Sequence, residues 1–295
     1  LPTLFTIHGG GFTVGSPEND DKWNRTFADT HSVLVIALNY SKAPSHPFPA
    51  AIHDLEALIS AILADPSLPI DKHHCAIAGF SAGGNLTLAV TQLEGVKNSF
   101  KLYGSAGFKA AIPVYPGLDR TITRDFKATL RQYKPSLSPN RNSPTDLLLG
   151  MGKIFDWAYI KVGHDLRDPL LSPIFAARED LPPYVFMIAC ELDMSGHDAW
   201  RMASTLAGRA KPSMEEKVGR EESGKVGELE LDDERFTWEV RERGVRWLLI
   251  PDVVHGFDRM PPSMLGDETT VRDAETKSIK VIKEIGEWLK TRAWA

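Results

Sequence analysis

Cys75-Ala76-Ile77-Ala78-Gly79-Phe80-Ser81-Ala82-Gly83-Gly84 is the stretch on which the reading of the fold turns. Its first residues form a short apolar run, too short for a typical helix and stopped by glycine, which predicts a buried strand over 75–79. Over 84–94 apolar residues recur at helical spacing. Between them, Gly79-Phe80-Ser81-Ala82-Gly83 fits G-x-S-x-G. That pattern suits a strained strand-to-helix turn, because flanking glycines relieve crowding where a side chain would clash. The turn lifts the serine hydroxyl above the sheet, and the N-terminus of the next helix favours developing negative charge. Taken alone the pattern is common by chance, so its weight depends on what surrounds it.

Working outward, similar apolar runs over 4–8, 33–39, 110–115, 185–189 and 247–251 read as strands. Helical spacing covers 50–64, 196–208 and 270–292. Strands alternating with helices imply an α/β fold with a mostly parallel sheet covered on both faces. Right-handed crossovers then make the sheet doubly wound. Ligands of such sheets bind beyond the carboxyl ends of the strands, so the residues after each run carry the chemistry.

Read in order, those ends supply His8-Gly9-Gly10-Gly11-Phe12, then Ser81, then Glu191-Leu192-Asp193, then Asp252-Val253-Val254-His255. A serine is a poor nucleophile until a base takes its proton, which His255 can do. Asp193 can fix the imidazole tautomer and stabilise the imidazolium. The chain order Ser, Asp, His is the order this kind of sheet uses. The backbone N–H groups of Gly10, Gly11 and Ala82 can converge on a developing oxyanion. Asp198, on the helix after Asp193, is a rival for the acid. Phe12, Tyr40, Trp157 and Phe257 are candidates for an apolar pocket lining, though each could equally be core.

The rest of the chain mostly excludes. It has 295 residues, 42% hydrophobic and 25% charged, with a net charge of −5. That balance suits a globular protein and gives no reason to expect nucleic acid or an anionic membrane as partner. No apolar run is long enough to span a bilayer, and no signal peptide is visible. A cytoplasmic location is favoured, and any targeting segment would lie before Leu1. Cys75 and Cys190, each inside an apolar run, read as free buried thiols. His73, His74 and Cys75 are adjacent and alternate in direction along a strand, so no metal site is expected there.

Two stretches break the alternation. Residues 120–163 are polar and proline-rich, then amphipathic over 151–162, and are expected to form a helical cap insertion over the sheet. Residues 211–244 are dense in charge and glycine and are expected as a flexible loop, with a hairpin over 229–240 as the alternative. The whole chain is read as one domain, 1–295.

With these residues in place, the sequence resembles the hormone-sensitive-lipase-like family of α/β-hydrolases, which includes arylacetamide deacetylases and carboxylesterases. The resemblance runs through His8-Gly9-Gly10-Gly11-Phe12, Asn39-Tyr40-Ser41-Lys42-Ala43-Pro44, Phe48-Pro49-Ala50-Ala51 with Asp54, Tyr115-Pro116-Gly117-Leu118-Asp119, Leu171-Ser172-Pro173 and Leu181-Pro182-Pro183. It implies Ser81, Asp193 and His255 as triad, Gly10, Gly11 and Ala82 as oxyanion donors, and an acyl-enzyme on Ser81. It implies a small-molecule ester as substrate and no cofactor or metal. Amidases and formamidases with closely similar motifs stay open, as does a non-catalytic ligand-binding relative.

Three local departures stand out: Phe80 before the serine, Met194-Ser195-Gly196 after the acid, and the 211–244 insertion. The resemblance also implies two further strands and cap helices before the His8-Gly9-Gly10 strand, and these are missing. Their absence would leave 33–39 as an apolar sheet edge through which two copies could pair. On that expectation the chain as given is poorly soluble or weakly active.

Overall fold

Beginning at the amino terminus, Thr3–Ile7 forms β1, Asp21–His31 α1, Leu34–Leu38 β2, Ala50–Ala64 α2 and Cys75–Phe80 β3. Ala82–Thr91 is α3, Glu94–Lys101 α4, Ala110–Val114 β4, Arg124–Thr129 α5 and Leu149–Tyr159 α6. Tyr184–Cys190 is β5, Gly196–Leu206 α7, Thr237–Val240 β6, Val245–Ile250 β7, Pro262–Leu265 α8 and Glu268–Trp288 α9. This is a computed structural model describing residues 1–295.

The strands form one sheet of 7 in the order β2-β1-β3-β4-β5-β7-β6, parallel throughout except for the antiparallel β6–β7 pair. The sheet is therefore α/β and mostly parallel, as the alternation predicts. Side chains alternate faces along each strand, and the two faces build two cores. Phe5, Ile7 and Ile77 join α2, α3 and α7 on one side. Leu4, Ala76, Ala78 and Phe80 join α1 and α9 on the other. Being apolar on both faces is what buried parallel strands require. Pro113 lies inside β4 without an N–H to give, and β4 pairs with β5 only through Ala110, Ala111 and Val114.

The chain leaves β1 in one direction towards β2 and then crosses to β3 on the other side of β1. This reversal opens a crevice at the carboxyl ends of β1 and β3. The glycine-rich loop after β1 and the turn after β3 are its two walls.

Three elements were not anticipated. In α1 only Trp23, Phe27 and His31 are apolar or aromatic residues turned inward, a stripe too thin to stand out among polar neighbours. Helix α4 offers only Val96 and Phe100 to the core. The segment 211–244 also differs from a wholly flexible loop. Val218 and Phe236 are buried, and Thr237–Val240 becomes the edge strand β6 instead of half of a hairpin over 229–240. Residues 120–163 hold α5 and α6, which pack against each other. Strand β2 is a sheet edge, half-buried over most of its length with Ala37 exposed.

Candidate active site

Ser81 sits at φ 56° and ψ −115°, a conformation that side-chain-bearing residues rarely adopt. The glycines beside it explain how the chain tolerates this. A Cβ on Gly79 would lie 2.2 Å from the carbonyl oxygen of Gly83, and one on Gly83 would lie 2.1 Å from that of Ile7. The turn is further pinned by the Ser81 N–H, which donates to the Val114 carbonyl at 2.9 Å.

Three side chains from three strand ends meet in a line. Ser81 Oγ lies 2.7 Å from His255 Nε2, and His255 Nδ1 lies 2.7 Å from Asp193 Oδ2. The other oxygen of Asp193 accepts the Ser195 N–H at 2.9 Å, which fixes the carboxylate. Burial by itself would lower the pKa of His255, but the charge and hydrogen bond of Asp193, helped by Asp146, outweigh it and raise the pKa. Asp198 points elsewhere, accepting from Lys127 Nζ and from the Asp119 N–H at 3.2 Å.

The loop after β1 turns back on the serine. Gly10 and Gly11 have φ of 115° and 58°, and a Cβ on Gly10 would lie 2.0 Å from the Val14 carbonyl oxygen. The N–H groups of Gly10, Gly11 and Ala82 donate to nothing within the protein, and all three residues border one cavity with Ser81 and His255. An N–H at a helix start has no partner inside the helix, which leaves that of Ala82 free. The cavity holds about 480 Å³, within the span of small-molecule sites.

Of the four aromatics expected at the pocket, only Phe12 borders it. Tyr40 is buried behind the loop, stacked on His8 at 4.5 Å, with its hydroxyl donating to the His8 carbonyl at 3.2 Å. It braces the Gly9–Gly11 loop and does not line the pocket. Phe257 is core and borders a different cavity, between α1 and α9. Trp157 is 77% exposed on the outer side of α6. Its place is taken by Phe155, whose ring lies where a Cβ on Gly11 would fall, 2.2 Å away. Residues two apart on a helix face opposite ways, so choosing between 155 and 157 needs the helix's rotation, which its sequence leaves open.

Other neighbours were also unforeseen. Phe80 packs edge-on to Trp23 at 5.0 Å and lies under the Arg259 guanidinium at 3.2 Å, behind the serine. Asp146, from the 120–163 segment, accepts the Met194 N–H at 2.9 Å, next to the acid. Arg120, Arg124 and Lys127 border the cavity from the same segment. Charged residues in a polar stretch look solvated in sequence, so nothing marked these.

A family model described as "alpha/beta hydrolase fold" matches residues 4–221. The chain is 32% identical over 190 residues to an arylesterase of Saccharolobus solfataricus, covering 63% of this chain and 56% of the relative. It is 37% identical over 244 residues to an arylacetamide deacetylase of Bos taurus, covering 66% and 61%. The chain thus spans a little over half the length of these relatives. A solved hyperthermophilic esterase from the archaeon Pyrobaculum calidifontis superposes with a TM-score of 0.66 at 23% identity, over 99% of this chain and 75% of that one. A strained strand-to-helix turn at the switch point of the sheet, and a family match across most of the strands, lead to one assignment: the chain belongs to the α/β-hydrolase-fold family, in its hormone-sensitive-lipase-like branch.

Proposed function

We propose that this protein hydrolyses carboxylic esters through an acyl-enzyme on Ser81. The observation that carries the reading is the unbroken line Ser81–His255–Asp193, both links 2.7 Å, opening beside three free N–H groups. His255 Nε2 takes the Ser81 proton as Oγ attacks the ester carbonyl carbon. The carbonyl oxygen becomes an oxyanion received by the N–H groups of Gly10, Gly11 and Ala82. Asp193 steadies the imidazolium while it holds the proton. As the tetrahedral species collapses, the C–O bond to the alcohol breaks and His255 returns the proton to the departing oxygen. Water then repeats the sequence with His255 as base, releasing the acid and restoring Ser81.

A fluorophosphonate probe followed by peptide mapping, together with 4-nitrophenyl ester turnover, tests this. Labelling is expected on Ser81, and Ser81→Ala is expected to cut turnover by at least about 1,000-fold. Turnover that survives Ser81→Ala would sink the proposal.

A further inference from the structure

The wall of the cavity formed by the 120–163 segment carries more positive charge than the protein neutralises. Arg120, Arg124 and Lys127 all border it, while the carboxylates that hold them do not. Arg120 Nη1 lies 2.9 Å from Asp156 Oδ1. Arg124 Nε and Nη2 lie 2.5 and 2.9 Å from the same carboxylate. Lys127 is bonded to Asp198. Asp119, next in line, is taken by Arg201 at 3.1 Å. Two carboxylates therefore serve three cations, and one of them is shared by two guanidiniums.

The hydrogen-bonding inventory shows the same shortfall. Arg120 Nη2 and Arg124 Nη1 donate to nothing in the protein, and Arg120 Nε is buried without an acceptor. The Arg120 side chain is only 8% exposed, and its unpartnered Nε is cut off from bulk water. Burial pushes the Arg120 pKa down, the Asp156 charge offsets only part of this, and the neighbouring Arg124 charge adds to the fall. On the opposite wall the one charge of Arg259 has two carboxylates, Asp20 and Asp258, although its Nη2 is also buried without an acceptor. The surplus is thus local to one side of the cavity. A pair of guanidiniums with free N–H groups is suited to a planar, two-oxygen anion.

We propose that the cavity selects esters bearing a second, free carboxylate, received by Nη2 of Arg120 and Nη1 of Arg124. The proposal rests on the ester-hydrolase reading for its reaction but not for its binding. The carboxylate can belong to the acyl group, as in a half-ester of a dicarboxylic acid, or to the departing alcohol, as in an acetylated hydroxy acid.

Two matched pairs separate these sources: monomethyl against dimethyl glutarate, and 3-acetoxybenzoate against its methyl ester. Turnover would be followed by pH-stat, and binding to the Ser81→Ala chain by calorimetry. The anionic member of at least one pair is expected to be preferred at least about tenfold at low salt, the scale of one charge-assisted hydrogen bond. Arg124→Gln is expected to erase that preference and Arg124→Lys to keep part of it. Equal or weaker handling of both anionic members overturns the proposal, as does a preference untouched by Arg124→Gln. Turnover without charge preference removes this inference and leaves the esterase reading standing. Preferential binding without any turnover does the reverse.

Discussion

Gly83 shows how little room surrounds Ser81. A Cβ there would meet the Ile7 carbonyl oxygen at 2.1 Å, so the helix that carries the turn would have to move off β1. Gly83→Ala is expected to cost about 1–3 kcal/mol of stability, measured by thermal or urea unfolding. The two candidate acids separate at the same scale. Asp193→Asn leaves the imidazole in the wrong tautomer and is expected to lower kcat on 4-nitrophenyl esters by roughly 10,000-fold. Asp198→Asn, which breaks the Lys127 pair, is expected to spare the burst of acyl-enzyme formation. As the proposed base, His255 works only when neutral, so its raised pKa is expected to put the acid limb of kcat/KM above the ordinary imidazole value of 6.5. Asp146 adds to that rise, so Asp146→Asn is expected to move the limb to lower pH. A fall in kcat without such a shift would make Asp146 a packing residue only.

Between residue and fold, α6 and the 120–163 segment decide the shape of the pocket. Phe155 faces Gly11 and Trp157 faces water. Phe155→Ala is expected to raise KM and broaden acyl-length tolerance, whereas Trp157→Ala should change stability by no more than about 0.5 kcal/mol. The same segment is anchored from below by Lys134, wholly buried at 2.7 Å from both Glu191 and Asp252. Glu191 and Asp252 lie two and three residues before Asp193 and His255. Glu191 also accepts the Asp252 N–H at 2.8 Å, tying the ends of β5 and β7 together. Lys134→Met would strand two buried carboxylates and is expected to cost about 3–5 kcal/mol. Urea unfolding measures the loss, and rescue by lowering pH would identify the stranded carboxylates as its cause.

On the scale of the whole molecule, β2 leaves one side of the sheet unpaired. Val35 and Ile36 are only half-buried and Ala37 is exposed, so the edge is apolar and carries no protecting charge. Concentration-dependent self-association is the expected consequence, visible by sedimentation velocity, and Ala37→Lys is expected to reduce it. The opposite edge is better guarded. On β6, Glu239 pairs with Arg292 at 3.0 Å and lies 3.5 Å from Arg241.

Local sequence determined a good deal of this protein. Apolar runs closed by glycine placed the strands, because burial on both faces forces continuous hydrophobicity. Glycine at 10, 79 and 83 marked backbone that no side chain could occupy. Together these brought Ser81, Asp193 and His255 to strand ends on one rim of the sheet. Elements with thin apolar stripes, such as α1, were illegible because Trp23, Phe27 and His31 alone do not make a clear apolar period among polar neighbours. Only the tertiary structure decided which face of α6 meets the Gly9–Gly11 loop, that Tyr40 braces that loop from behind, and that Asp198 belongs to Lys127. It alone showed that Arg120 and Arg124 share one carboxylate. Charge balance in a cavity depends on groups far apart in the chain, and no local pattern records which of them will be left short of a partner.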